Sequence, residues 1–283
     1  GGDEFAILLE DLGHADDVVP ILEKLVETMR HPFGLDGHEF FLTFSIGISM
    51  YPQDGDAADV LLRNADTAMY RAKEEGRNSY RFYTADMNAR AFERLDLESK
   101  LRRALERNEF ILHYQPKLDL KSGCVTGVEA LLRWQHPEQG LIPPGEFIPT
   151  LEDTGMIVPV GRWVLHEACR QARSWRTAGL PPLSVAVNIS THQFRRDDVC
   201  AVIREVLATY GMPPDELELE ITESALMDDI AHAAASIQQL KEQGVKVAID
   251  DFGTGYSSLA YLKRFAIDSL KIDRTFVRDI CDD

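Results

Sequence analysis

The chain has 283 residues, 45% of them hydrophobic and 27% charged, an ordinary globular composition that excludes disorder. Its formal net charge is −17 with no basic tract, which excludes a nucleic-acid polymer as partner because the phosphate backbone would be repelled. No apolar run approaches the roughly 18 residues of a membrane span, and no signal-peptide pattern is present. Cys124, Cys169, Cys200 and Cys281 form no C-x-x-C pair, which argues against structural zinc or a disulfide framework and predicts a cytoplasmic protein.

The first region reads strand, helix, strand, helix. Residues 5–9 form a short apolar run with strand character. Val18, Ile21, Leu22, Leu25, Val26 and Met29 then recur at helical spacing. Over residues 40–51, Leu42, Phe44, Ile46, Ile48 and Met50 alternate with Thr43, Ser45, Gly47 and Ser49, which predicts a half-buried strand. Leu61, Leu62, Ala65, Ala68, Met69 and Ala72 stripe a second helix that stops at Gly76. A polar, Glu- and Arg-rich helix from Thr84 to about Arg107 follows, read as a solvated connector.

From Phe110 onward strands alternate with helices. The strands fall at residues 110–116, 126–134, 184–189, 216–222, 245–250 and 269–272. Between them, Val164, Leu165, Ala168, Cys169, Ala172 and Trp175 form one helical stripe, and Val199, Val202, Ile203, Val206, Leu207 and Tyr210 another. Such alternation predicts a parallel sheet in an α/β fold.

The polar residues of these strands share a pattern. Asn188 opposes Val187 and Ile189; Glu218, Glu220 and Thr222 oppose Leu217, Leu219 and Ile221; Asp250 opposes Val247 and Ile249. Glu129 with Arg133, and Lys271 with Asp273, likewise stand opposite aliphatic neighbours. A single strand-end carboxylate often caps the next helix or meets water. Five strands carrying polar groups on one face point instead to the C-terminal mouth of a barrel. Gathering Glu129, Glu220 and Asp250 there without a counter-charge would cost several kcal/mol per ion, and a divalent cation resolves the conflict. Oxygen donors without histidine favour Mg²⁺ or Mn²⁺.

Six ordered motifs now carry a resemblance: "YQP" (114–116), "EALLRW" (129–134), "VNIS" (187–190), "LEITES" (219–224), "DDFGTGYSSL" (250–259) and "LKIDRTFV" (270–277). They resemble the EAL domain, a phosphodiesterase family that opens the bacterial second messenger cyclic di-GMP to linear pGpG. The start of the chain, Gly1, Gly2, Asp3, Glu4 and Phe5, with "AMYRAKEEGRNSY" (68–80), resembles the second half of a GGDEF diguanylate cyclase domain. The implied fold is a partial ferredoxin-like, cyclase-type α/β domain (1–83), a connector helix (84–98) and an incomplete (β/α)8 barrel (99–283).

The resemblance also implies roles. Glu129, Asn188, Glu220 and Asp250 would ligate metal, Asp251 would hold a second ion, and Asp273 would orient the metal shell, with two Mg²⁺ or Mn²⁺ per site. Lys271 would contact the attacking water and stabilise developing charge. Gln115, Arg133 and Thr222 would touch substrate. Glu223 would anchor the glycine-rich loop, which in this family couples homodimerisation to metal binding. Lys73 and Arg77 match GTP-phosphate contacts of the GGDEF family. Because family residues upstream of Gly1 and two strand–helix units beyond Asp283 are not in this sequence, the expectation is no cyclase activity and weak hydrolysis by an unstable isolated chain. A non-catalytic cyclic di-GMP receptor or scaffold is the alternative reading.

Overall fold

The computed structural model describes residues 4–10, 12, 15–28, 33–35, 38–40, 43–76, 78–196, 198–227, 229–253 and 264–278. Contacts divide the chain into two units, Gly1–Asp96 and Leu97–Asp283.

In the first unit a 3-10 turn, Ala15–Val18, leads into α1 (Val19–Thr28). β1 (Phe33–Leu35) and β2 (His38–Phe40) pair antiparallel, while β3 (Ile46–Ile48) and β4 (Tyr80–Phe82) pair in parallel on either side of α2 (Ala58–Glu74). Val18, Leu22 and Ile48 form a small core, joined by Leu12, Ile46, Met50, Tyr80 and Phe82. Two expectations need correction here. Residues 5–9 are not a strand: they pair with no described strand, and Phe5, Ile7 and Leu8 stand exposed. A strand exists only through its ladder, so apolar character alone did not suffice. Of the predicted strand at 40–51, the ladder over 43–50 is confined to Ile46–Ile48, because the partner β4 is itself only three residues long.

Gly47 sets the approach of β3 to α2. A Cβ there would lie 1.9 Å from the Ala65 carbonyl oxygen and 2.1 Å from the Met69 amide nitrogen. Backbone cannot swing aside as a side chain can, so Gly47→Ala is expected to cost about 1–3 kcal/mol. A fall in the urea midpoint of the first unit checks this; an unchanged midpoint would mean that helix and strand separate freely.

The unit boundary falls within α3 (Ala85–Glu106). Its later part departs from the expected solvated connector: Leu101 and Ala104 are fully buried in the core of the second unit, and Leu97 and Leu105 pack against that core. The abundant Glu and Arg concealed this short apolar stripe.

The second unit is built on β5 (Phe110–Leu118), β6 (Val125–His136), β7 (Gly140–Ile142), α4 (Pro144–Asp153), α5 (Ile157–Thr177), β8 (Ser184–Ile189), α6 (Thr191–Arg196), α7 (Val199–Tyr210), β9 (Leu217–Thr222), α8 (Glu223–Met227), α9 (Ile230–Glu242), β10 (Lys246–Phe252) and β11 (Ser269–Ile272). The strands follow the order β11-β10-β9-β8-β6-β5, with β7 beside β6, in a mixed sheet that does not close among the described residues, as in an incomplete barrel. β6, β8, β9, β10 and β11 are parallel neighbours. The predicted parallel sheet fails at β5, which pairs antiparallel with β6. Residues 119–124 are too few for a crossover, and Asp119 closes a tight turn there by accepting from the Lys121 and Ser122 amides.

The aliphatic faces behave as the alternation demands. Val185, Val187, Leu217, Leu219, Ile221, Val247 and Ile249 are all buried in one core with the inner stripes of α5, α7 and α9. Asp198 and Asp229 cap α7 and α9 by accepting from the Ala201 and His232 amides. Trp134 is wholly buried between Phe110 and Phe147, and its indole N–H donates to Glu109. Among the described residues no helix is long and apolar enough to cross a membrane.

Candidate active site

Hydrogen-bond register brings the opposite, polar faces of these strands together. Gln115 lies opposite Glu129, Asn188 opposite Glu220, Glu220 opposite Ala248, and Thr222 opposite Asp250. Their side chains converge. Carboxylate oxygens of Glu129, Glu220 and Asp250 lie within 4.8 Å of one another. The Asn188 amide donates to Glu129 Oε1 at 2.8 Å.

Lys271, projecting from β11, reaches all three acids: 2.5 Å to Glu220 Oε2, 2.9 Å to Asp250 Oδ2 and 3.3 Å to Glu129 Oε2. Behind them, Lys117 on β5 donates at 2.6 Å to Glu220 Oε1 and at 2.6 Å to Glu218 Oε1. Glu220, with 1% of its surface exposed, is therefore held by one lysine on each carboxylate oxygen. A cavity of about 400 Å³ beside the cluster is lined by Gln115, Lys117, Glu129, Glu218 and Lys271, among others.

The electrostatics follow from burial and pairing. Burial raises Glu220 above the ordinary glutamate value, outweighing both lysines. Burial pushes Glu129 the same way, but the Asn188 amide and the Lys271 ammonium outweigh it and hold that carboxyl low. Burial alone would lower Lys271, yet its bonds to Glu220 and Asp250 raise it above the usual lysine value, so its proton is firmly held. Lys117 is raised likewise by Glu218 and Glu220. Four carboxylates facing two ammonium groups leave a formal charge of −2. All the acidic donors are hard oxygens, a set that fits a divalent cation of the Mg²⁺ or Mn²⁺ type.

The remaining predicted residues are placed as follows. Between Ile249 and Phe252 the β10 register slips past β11 by one residue, and Asp251 takes φ 52°. A bulge of this kind interrupts strict alternation and re-aims side chains, so Asp250 and Asp251 are not bound to opposite faces here. Burial, then the charges of Asp250 and Asp273, push Asp251 above the ordinary aspartate value. Asp273 itself caps the turn Arg274–Phe276 by accepting from the Thr275 amide and hydroxyl, and neither Asp251 nor Asp273 joins the three-acid cluster. Glu223 is buried and accepts from the Gly253 amide at 3.1 Å, at the start of the glycine-rich loop. Arg133 donates to the Leu132 carbonyl. Lys73 lies in the last turn of α2, and Glu4 is exposed. Gly1, Gly2, Asp3, Arg77 and most of the loop (254–263) lie outside the described residues.

Two members of the cluster escaped sequence reasoning as functional residues, Lys117 and Glu218. The polar-face rule that selected Glu220 also covers Glu218, and Lys117 shares the Gln115 face of β5. Their significance appears only once β5 is known to run antiparallel.

Comparison with known proteins places the chain. Residues 98–283 match the EAL domain model, and residues 1–79 match that of the diguanylate cyclase GGDEF domain. The bifunctional diguanylate cyclase/cyclic di-GMP phosphodiesterase MucR of Pseudomonas aeruginosa is 48% identical over 283 residues, all of this chain and 41% of that protein. The cyclic di-GMP phosphodiesterase PdeR of Escherichia coli is 42% identical over 280 residues, 99% of this chain and 42% of that protein. The chain thus spans well under half the length of these relatives. Among solved structures, the PaMucR phosphodiesterase in complex with c-di-GMP superposes with TM-score 0.64 at 48% identity, covering 66% of this chain and 76% of that one. The Xanthomonas citri FimX EAL domain in complex with c-di-GMP gives TM-score 0.62 at 29% identity, covering 69% and 76%. With the EAL model matching residues 98–283, more than half of the chain, and the GGDEF model ahead of it, the chain belongs to the EAL domain family, in the tandem arrangement with a GGDEF segment.

Proposed function

We propose that the second unit hydrolyses one 3′–5′ phosphodiester bond of cyclic di-GMP to linear pGpG with Mg²⁺ or Mn²⁺, two ions per site, and that the GGDEF segment regulates it. The observation that carries this reading is the convergence of Glu129, Glu220 and Asp250 in a pocket whose formal charge is −2. Glu129, Asn188, Glu220 and Asp250 would hold one cation, Asp251 would hold the second, and Asp273 would orient Lys271 and the metal shell. Bound there, divalent cations lower the pKa of a water and polarise a phosphoryl oxygen.

The chain's own groups supply the rest. Lys271 keeps its proton and offsets the charge that builds on the phosphoryl oxygens as the water oxygen bonds to phosphorus and the P–O3′ bond breaks. The attacking water loses a proton to solvent, and the leaving O3′ takes one up to become the 3′-hydroxyl. Arg133 would grip a phosphate, while Gln115 and Thr222 orient the substrate beside it. Local cations thereby overcome the repulsion of an anionic substrate by the global charge. In the first unit, Lys73 would meet a phosphate of GTP.

Incubating the chain with cyclic di-GMP and Mn²⁺ is expected to yield pGpG, resolved by chromatography. EDTA should stop the reaction and added Mn²⁺ restore it. Saturable binding with no product at any metal concentration would favour the receptor reading instead.

A further inference from the structure

Glu220 is the most buried acid of the cluster, and its two oxygens are used differently. Oε2 faces Lys271, 2.5 Å away, the ammonium that also donates to Asp250 and Glu129. Oε1 faces the other way, to Lys117 at 2.6 Å. Lys117 is anchored in turn by Glu218, two residues earlier on the same strand face. The ammonium therefore sits between two carboxylates that protrude from one face of β9, and it comes from the antiparallel strand β5, at the far end of the sheet order.

A glutamate side chain has three rotatable torsions, and the carboxylate of an unrestrained one rotates freely about its last bond. Clamping one oxygen fixes the direction of the other. We propose that Lys117 is a positioning residue for the metal site: it grips Glu220 Oε1 from behind and thereby aims Oε2 at the Glu129–Asp250 cluster. This rests on the metal-dependent reading above. Groups that orient a ligating carboxylate typically contribute 10–100-fold to metal affinity or activity.

The sign of the effect separates positioning from plain charge. Lys117 is itself a cation close to the site, so if charge were its only role, its removal would tighten binding of a divalent ion. A positioning role requires the opposite. The test is Mn²⁺ titration of the full 283-residue chain, followed by electron paramagnetic resonance, for the unmodified protein and Lys117→Met. The expected result is a rise in the Mn²⁺ Kd of about 10–100-fold, with Lys117→Arg recovering part of the loss. An unchanged or lower Kd in folded Lys117→Met overturns the proposal.

Should Lys117→Met fail to fold, because Glu218 is left without its cation, the double variant Lys117→Met/Glu218→Gln removes both charges together and is read by the same criterion. The two readings fail differently. An unmodified chain that binds Mn²⁺ yet forms no pGpG defeats the catalytic reading alone, and the Kd comparison still decides the role of Lys117. An unmodified chain that binds no Mn²⁺ defeats both.

Discussion

Glu220→Gln is expected to lower pGpG formation by more than about 100-fold, the upper range for a group that only orients a metal ligand, because Glu220 is proposed as a ligand itself. Glutamine is nearly the same size but neutral, and one carboxylate oxygen becomes an amide N–H₂ that cannot ligate a cation. The fold should survive. Lys117 retains Glu218, and Lys271 retains Asp250 and Glu129, so neither ammonium is left unpaired. Removing one member of a buried pair costs several kcal/mol only when its partner is left uncompensated. Turnover and the urea midpoint measured on the same preparation check both halves. Activity within about tenfold of the unmodified chain would remove Glu220 from the metal site, since even an orienting group typically contributes 10–100-fold.

The largest expected stability effect lies elsewhere in the second unit. Trp134 has no exposed surface, packs at centroid distances of 6.4 Å from Phe110 and 5.9 Å from Phe147, and donates to Glu109 Oε2 at 3.1 Å. Trp134→Ala removes the indole, opens a cavity and strips Glu109 of its donor, at about 3–5 kcal/mol for the truncation. At roughly 2–4 °C per kcal/mol for a domain of this size, the melting temperature should fall by about 6–20 °C. Thermal unfolding followed by circular dichroism measures it. Trp134→Phe, which refills part of the volume, should recover a portion; a fall of under 2 °C in Trp134→Ala would show that the neighbouring rings collapse into the space.

Much of the site was readable from alternation alone. Because side chains on a strand switch faces at every residue, alternation alone assigns Glu129, Asn188, Glu220 and Asp250 to the face opposite their aliphatic neighbours. The strands at 184–189 and 269–272 fall at the residues expected. Where the reading failed, the missing information was a partner. Residues 5–9 have the composition of a strand but no ladder, and the run ending at Tyr51 pairs only as far as the short β4 allows. The apolar stripe of Leu97, Leu101, Ala104 and Leu105 was hidden among charged neighbours until a core was present to receive it.

Local pattern thus determined which residues could turn inward, since burial of one strand face dictates the chemistry of the other. It also supplied the motifs of the EAL family. Tertiary structure decided how those residues meet. The antiparallel β5 carries Lys117 to Glu220 across 103 residues of sequence, and the β10 bulge interrupts strict alternation at Asp250 and Asp251. The short turn at residues 119–124 signals the antiparallel pairing of β5 and β6 locally. The meeting of Lys117 with Glu220 has no local signal, because charges far apart in sequence interact only through the distances that folding sets between them.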